Sequence, residues 1–305
     1  MVLAAGILIA STAITLPAAA ASMSPTIRSG ATWSVQPTPN PPGSVGSYLS
    51  SVSCVSAHMC MAVGTYYTTF DPPPGIDYTL AEQWDGSSWS VAATPTISGV
   101  DNAILSGVSC DSADSCTAVG YTVTKPDNPK VRALVESWNG TSWRVVATPV
   151  PNGATYVSLS DVWCHHTAQC VAVGGYLEKG NELPLTEAWN GSVWSVLNSP
   201  NPHAENGSSF TSIDCMARST CEVVGDYDYA DVAQSVIAYS YRGSTWKSQK
   251  QKNPSGQGES NSNNGLSCSA EDSCTAVGNW TNNAPLALSE FWNGTTLESS
   301  ARARS

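Results

Sequence analysis

The sequence predicts an all-β chain of five four-stranded antiparallel units, and three observations predict it. Charged residues are only 12%, with 11 Trp, 11 Tyr, 3 Phe and abundant Gly, Pro, Ser, Thr and Asn. That composition suits many short strands joined by turns. Ten cysteines form five C-x5-C pairs: Cys54 with Cys60, Cys110 with Cys116, Cys164 with Cys170, Cys215 with Cys221 and Cys268 with Cys274. The first Cys of each pair recurs at intervals of 51 to 56 residues, and a Trp or Tyr at positions 84, 138, 189, 241 and 292 recurs at intervals of 51 to 54. Two independent markers with one period identify a repeat.

The second copy shows the elements in order. Strand a is Leu105 to Cys110, and a five-residue loop returns the chain as strand b, Cys116 to Val123. After a variable loop, strand c runs from Ala133 to Trp138, Asn139-Gly140 turns, and strand d spans Thr141 to Ala147. Asn-Gly and Asp-Gly are the preferred pairs of a two-residue type I′ hairpin. They recur as Asp85-Gly86, Asn139-Gly140, Asn190-Gly191 and Asn293-Gly294, with Arg242-Gly243 as a weaker version. Four antiparallel strands repeated at this period are the signature of β-propeller blades. Blades bury both faces, which accounts for apolar runs such as Thr117-Ala118-Val119-Gly120. The blades are placed at about 48–95, 104–149, 158–200, 209–252 and 263–298, with 299–305 as a tail. Residues 32–39 read as a d strand with no a, b or c before it. The expectation is a five-bladed propeller, residues 32–298, with one disulfide per blade. In it the N-terminal strand completes the last blade and leaves no open edge.

The first 21 residues carry an apolar run, Val2 to Leu16, and then Ala18-Ala19-Ala20-Ala21. That pattern reads as a signal peptide, although no Lys or Arg opens it, and residues 22–31 read as a linker. No later segment is apolar enough to span a bilayer. An even count of cysteines in an exported chain points to disulfides. Zinc ligation needs convergent pairs with tighter spacing. Each short bridge is expected to contribute about 2–3 kcal/mol by loop closure. The expected location is extracellular, and the expected state is a monomer.

The net charge is −11, from 24 acidic and 13 basic residues. A nucleic-acid binder needs a basic face, so that class is excluded, as is an anionic membrane surface. The acidity acts on solubility. No H-E-x-x-H, G-x-S-x-G or P-loop is present, and nothing calls for a cofactor or a metal. His58, His165 and His166 fall in disulfide loops, and His203 stands apart. Sequons begin at Asn139, Asn190, Asn206, Asn279 and Asn293, three of them in the turn itself.

Recurrence argues for structure. Glu82, Glu136, Glu187 and Glu290 each stand two residues before the strand-c Trp, and the fourth copy has Tyr239 there. They are expected to bond backbone or hydroxyl groups of a neighbouring blade. Trp89, Trp143, Trp194 and Trp246 are expected to pack between blades. Variation argues for function. The a–b and c–d turns share one face of the disc and are uniform, whereas the b–c and d–a loops on the other face are long and differ in every copy. Insertions that vary on one face mark the binding face of repeat proteins. The candidate ligand residues there are Tyr66, Tyr67, Asp71, Asp77, Tyr78, Lys125, Asp127, Arg132, Tyr176, Glu178, Tyr227, Asp228, Tyr229, Asp231 and Trp280. Rings beside carboxylates suit sugar or peptide recognition.

Residues 32–298 resemble the secreted propeller-like repeat proteins of actinobacteria, with L-x-x-V-S-C-x5-C-x-A-V-G and L-A-E-x-W-N-G-T-S-W repeats. The resemblance implies a secreted propeller and says little about activity. A looser likeness to Asp-box propellers rests on Gly140-x-x-Trp143, with Trp138 where the Asp should stand. Five blades are similar in architecture to the tachylectin-type lectin. The expected function is binding of an extracellular glycan or cell-envelope polymer through the loop face. The alternatives are a glycoside hydrolase or lyase using loop-face carboxylates, and a protein-interaction scaffold.

Overall fold

The computed structural model describes residues 34–69, 76–124, 129–165, 169–201, 207–217, 219–229, 233–249, 261–281 and 285–299. Pro37–Ser305 is one compact unit and holds all the repeats. Unit 1 is β1 (Gly46–Ser56), β2 (Met59–Tyr67), β3 (Asp77–Trp84) and β4 (Trp89–Val91). Unit 2 is β5 (Val100–Ser112), β6 (Ser115–Thr124), β7 (Val131–Trp138) and β8 (Trp143–Val146). Unit 3 is β9 (Ala154–Cys164), β10 (Cys170–Glu178), β11 (Asn181–Trp189) and β12 (Trp194–Leu197). Unit 4 is β13 (Ser208–Ala217), β14 (Thr220–Tyr229), β15 (Ala233–Arg242) and β16 (Thr245–Ser248). Unit 5 is β17 (Asn261–Ala270), β18 (Ser273–Thr281), β19 (Pro285–Trp292) and β20 (Leu297–Ser299). Each unit is an antiparallel meander. The five expected disulfides are formed: Cys54 with Cys60, Cys110 with Cys116, Cys164 with Cys170, Cys215 with Cys221, and Cys268 with Cys274. Each joins directly opposed residues of a unit's first two strands, as Cys54 faces Cys60 in unit 1 and Cys215 faces Cys221 in unit 4. Single parallel pairs, Asp77 with Asn102 and Val131 with Tyr156, join units 1 to 3 into one twelve-stranded sheet.

The cores lie between units, because each unit is apolar on both faces. Met61, Val63 and Ala81 of unit 1 meet Ala118, Leu134 and Trp138 of unit 2. Val119 and Val135 meet Ala172, Leu185 and Trp194 of unit 3. Val171 and Val173 meet Phe210, Ile213 and Tyr239 of unit 4, and Val224 and Ala238 meet Cys274, Ala276 and Trp292 of unit 5. Trp143, Trp194 and Trp246 pack between units as expected, whereas Trp89 of unit 1 packs on Trp84 of its own unit.

First strands of successive units lie side by side, stitched by short polar side chains. The residue before the first Cys accepts the amide of the next unit's first Cys. Ser53 takes Cys110 at 3.0 Å, Ser109 takes Cys164 at 2.9 Å, and Asp214 takes Cys268 at 2.7 Å. Unit 3 has Trp163 there, and Asp161 instead accepts the Ile213 amide at 3.1 Å.

The A-V-G glycine has a steric cause. Opposite it the first strand bulges, between Leu49 and Ser51 in unit 1 and Leu105 and Gly107 in unit 2. A Cβ on Gly64 would lie 1.9 Å from the Tyr48 carbonyl oxygen, and one on Gly120 2.0 Å from that of Ile104. No side chain fits so close an approach.

Three expectations are corrected. The Asn-Gly turns are not two-residue type I′ hairpins. Trp84 pairs with Trp89 and Trp138 with Trp143, so the loops hold four residues, and only the Gly has positive φ (Gly86 99°, Gly140 90°). The Asn or Asp closes the loop through its side chain: Asn139 Oδ1 accepts the amides of Thr141 (3.1 Å) and Ser142 (2.9 Å), an Asx-turn. Only the fourth copy has a two-residue loop, Gly243-Ser244.

The N-terminal strand is the second correction. Residues 34–40 form no strand, and β20 is itself the fourth strand of unit 5. Among the described residues no strand pairing closes the ring. The reason lies at the two ends. The A-V-G valine is fully buried as Val63, Val119 and Val173 and 2% exposed as Val224, but Val277 is 50% exposed. At the other end Leu49 and Val52 are 42% and 59% exposed, while their counterparts Leu105, Leu159, Phe210, Val108, Val162 and Ile213 are buried. The stack of units ends in two open apolar faces.

The third concerns the repeated Glu. Glu82, Glu136, Glu187 and Glu290 are all buried in the interior. Neither carboxyl oxygen of Glu136 or Glu187 has a hydrogen bond among the described residues, and Glu290 takes one from Asn263 of its own unit, at 3.1 Å. Burial, rather than bonding to a neighbour, sets their state. It pushes Glu82 and Glu136 up to about 7 and Glu187 to about 8. For Glu136 the nearby Thr79 hydroxyl of unit 1, which donates to Thr94 rather than to the carboxyl, opposes part of that shift.

Candidate functional site

The connections of each unit sort to two ends. At the turn end, the a–b and c–d turns touch. The Trp84 indole donates to the Ala57 carbonyl and the Trp138 indole to that of Ala113, both at 3.1 Å. Gly140 packs so closely on Asp114 that a Cβ would lie 2.5 Å from its Oδ1.

At the other end, the loop end, strands b and c carry tyrosines to their last residues. Tyr66 faces Tyr78 in register, with ring centroids 5.2 Å apart at 25°. Beside them Asp77 pairs with Tyr67, and its amide donates to Asn102 Oδ1 of unit 2 at 3.1 Å. Tyr66, Asp77 and Tyr78, with Thr94, Ile97 and Val100, line a cleft of about 40 Å³ whose single carboxylate among the described residues is Asp77. Burial raises Asp77, and burial followed by Tyr78 raises Tyr66. Hydrogen bonding with Tyr48 raises Tyr67, and those two rings also stack at 6.2 Å. Burial raises Tyr121, with smaller contributions from Tyr156 of unit 3 and Asp77 of unit 1. Half-buried tyrosines of three units therefore share this end.

Of the predicted residues, Tyr66, Tyr67, Asp77 and Tyr78 come together. Tyr176 and Glu178 stand at the same end of unit 3, where Glu178 helps raise Tyr176 after burial. Glu178 also lies 3.5 Å from Lys179. The unit 3 loop is not long: Lys179 (φ 52°) and Gly180 (φ 86°) make a two-residue turn with both φ positive, the geometry expected of the Asn-Gly turns. Arg132 is a tie between units, donating to the carbonyls of Val131 (2.8 Å) and Thr155 (3.1 Å). Trp280 is buried with Val236 and Leu288 and offers no face to a ligand. Tyr227 is half-buried against the core between units 3 and 4. Asp228 and Tyr229 continue β14, paired with Gln234 and Ala233. Asp71, Lys125, Asp127 and Asp231 lie outside the described residues. Sequence reasoning missed Tyr48, Tyr121 and Tyr156 because they are strand residues. A usable signal existed for one of them, since Tyr121 directly follows the A-V-G glycine.

The chain matches no protein family and no curated protein by sequence. Solved structures share its fold. A protein of unknown function from Dyadobacter fermentans matches with TM-score 0.57 and 10% identity, over 84% of this chain and 83% of that one. The SapL1 lectin matches with TM-score 0.51 and 12% identity, over 83% and 79%. The Aleuria aurantia lectin, a six-bladed β-propeller, matches with TM-score 0.50 and 11% identity, over 84% and 79%. At these identities the likeness shows the fold alone: this chain is an all-β protein of β-propeller type.

Proposed function

We propose that the protein is an exported carbohydrate-binding propeller, of the actinobacterial repeat type its motifs resemble, that holds an extracellular glycan at its loop end. The observation that carries this reading is the Tyr66–Tyr78 stack beside Asp77. A shallow, ring-floored recess with one carboxylate supplies a stacking platform and one orienting acceptor, which is what a saccharide needs. Glycoside hydrolysis needs two carboxyls about 5–10 Å apart, and among the described residues the cleft lining has one. Export is supported by five disulfides, which persist in oxidising compartments. Two solved relatives in fold are sugar complexes, SapL1 with alpha methyl fucoside and an ulvan lyase (TM-score 0.54, 9% identity, 84% of this chain and 66% of that one) bound to a GlcA-Rha3S unit.

The test is a glycan array followed by titration of the best hit. Tyr66→Ala and Tyr78→Ala are each expected to weaken binding by about fivefold or more, since a stacked aromatic is worth about 1 kcal/mol beyond its area. Release of cleaved sugar over hours, or unchanged affinity in both variants, would overturn the reading.

A further inference from the structure

The turn end, the face with uniform turns, holds a second kind of cleft. Between units 2 and 3 lies a recess of about 140 Å³ lined by Ser109, Thr117, Ser137, Arg144, Trp189 and other residues. Between units 4 and 5 the same positions recur. Ser240 stands for Ser137, Lys247 for Arg144, Trp292 for Trp189, and Gly294 for Gly191, around about 610 Å³. The framework is therefore given by the repeat, while the cation is not. The residue after the fourth-strand Trp is Ser90 in unit 1, Arg144 in unit 2, Ser195 in unit 3 and Lys247 in unit 4.

The two clefts differ in charge. Among the described residues Arg144 is the single ionisable group of the first, is exposed, and forms no ion pair. The second also carries Glu271, Asp272 and Arg242, and Arg242 is already paired with Glu222. Around Arg144 the remaining polar groups are hydroxyls. Ser109 Oγ accepts the Cys164 amide at 2.9 Å, which leaves its own proton to donate. A guanidinium fork, hydroxyl donors and the half-buried indole of Trp189 in one small recess match an anionic sugar residue. The fork takes a carboxylate or sulfate, the hydroxyls take ring oxygens, and the indole takes the ring face.

We propose that the cleft between units 2 and 3 is a binding site for one acidic residue of a polysaccharide, a uronate or a sulfated sugar, read by Arg144. It is independent of the tyrosine cleft at the loop end, and the chain's acidity makes Arg144 the discriminating feature on this face.

Methyl glucuronide and methyl glucoside differ only in the carboxylate, so they are the probes, with glucose 6-sulfate and inorganic sulfate beside them. Titration should show the glucuronide binding about tenfold tighter than the glucoside, the size of a charge-assisted bond. Arg144→Gln should remove that difference and leave glucoside affinity unchanged. Arg144→Lys should keep only part of it, and Lys247→Gln and Tyr66→Ala should leave it intact. Raising salt should shrink it. Thermal unfolding of each variant separates lost folding from lost binding. Glucose 6-sulfate matching or exceeding the glucuronide names sulfate as the group held. Equal affinity for glucuronide and glucoside, an unchanged ratio in Arg144→Gln, or inorganic sulfate binding as tightly as both acidic sugars would overturn the proposal. Loss of preference in Tyr66→Ala instead would place the acidic-sugar site at the loop end and overturn it too.

Discussion

Four of the five units bury a Glu on the third strand, and each stands across from an Ala on the second: Ala62, Ala118, Ala172 and Ala276. The small partner leaves room for the carboxyl. Unit 4 breaks the pair, with Val223 across from Tyr239, and its buried acid moves to the second strand as Glu222, directly after Cys221. There it gains a charge partner, which the other four lack among the described residues, together with two further donors. Ser240 donates to it at 2.8 Å, Gln249 donates to it, and Arg242 Nη2 lies 2.7 Å from it. Burial still raises Glu222, with Arg242 as the first opposing influence. Removing the cation leaves a buried acid with no charge partner. Arg242→Gln is expected to cost about 1–2 kcal/mol, below the figure for a fully buried pair because Arg242 is partly exposed. The loss should be larger at pH 8 than at pH 5, because falling pH drives the buried Glu222 toward its neutral form and lessens the need for the cation. A denaturant midpoint at the two pH values measures it, and equal losses would show that Arg242 acts through packing alone.

Between elements, the interfaces of units 1 to 3 are built around acids held neutral. Glu136 and Glu187 have folded pKa values of about 7 and 8, well above the ordinary carboxylate value. The folded state therefore binds more protons than the unfolded state between about pH 4.5 and 8. Stability from these groups is fully present below about pH 4.5 and is lost as pH rises through 7 to 8. The melting temperature should fall from pH 5 to pH 8. Glu187→Gln, neutral at every pH, should melt higher than the parent at pH 8 and flatten that fall; an unchanged slope would place the pH dependence elsewhere. The repeat itself was legible because Cys, Ala-Val-Gly and Trp mark equivalent positions covalently. Turn type was not, because Asn-Gly favours positive φ at both positions, whereas the Trp138–Trp143 register fixes a four-residue loop. The state of the repeated Glu was not legible either, since it depends on what the adjoining unit sets against it. The loop-end tyrosines were half legible, because Tyr66 and Tyr78 flank a loop while Tyr121 and Tyr156 meet only when units stack. The Arg144 cleft was hidden for the same reason, since its walls belong to two units and meet only when those units stack.

For the molecule as a whole, one relation repeats four times: the Val63-type face of each unit covers the Leu105-type face of the next. At the ends this relation is unfulfilled, and the same residue types turn to solvent as Leu49 and Val52 in unit 1 and Val277 and Phe291 in unit 5. Sequence symmetry predicted a ring because five near-equal units suggest five equal interfaces. It could not reveal that residues 34–40 would leave unit 5 with its own fourth strand, β20, and no closing partner. The energetic consequence is asymmetric. Val173 sits in a closed interface, and truncating it removes buried methyls and leaves a cavity. Val277 occupies the equivalent position with half its surface in water. Val173→Ala is expected to cost about 2 kcal/mol and Val277→Ala less than about 0.5 kcal/mol. Chemical denaturation of the two variants side by side tests the open ring directly. Equal costs would mean that in solution something covers the Val277 face as completely as unit 4 covers Val173, so that the ring is closed.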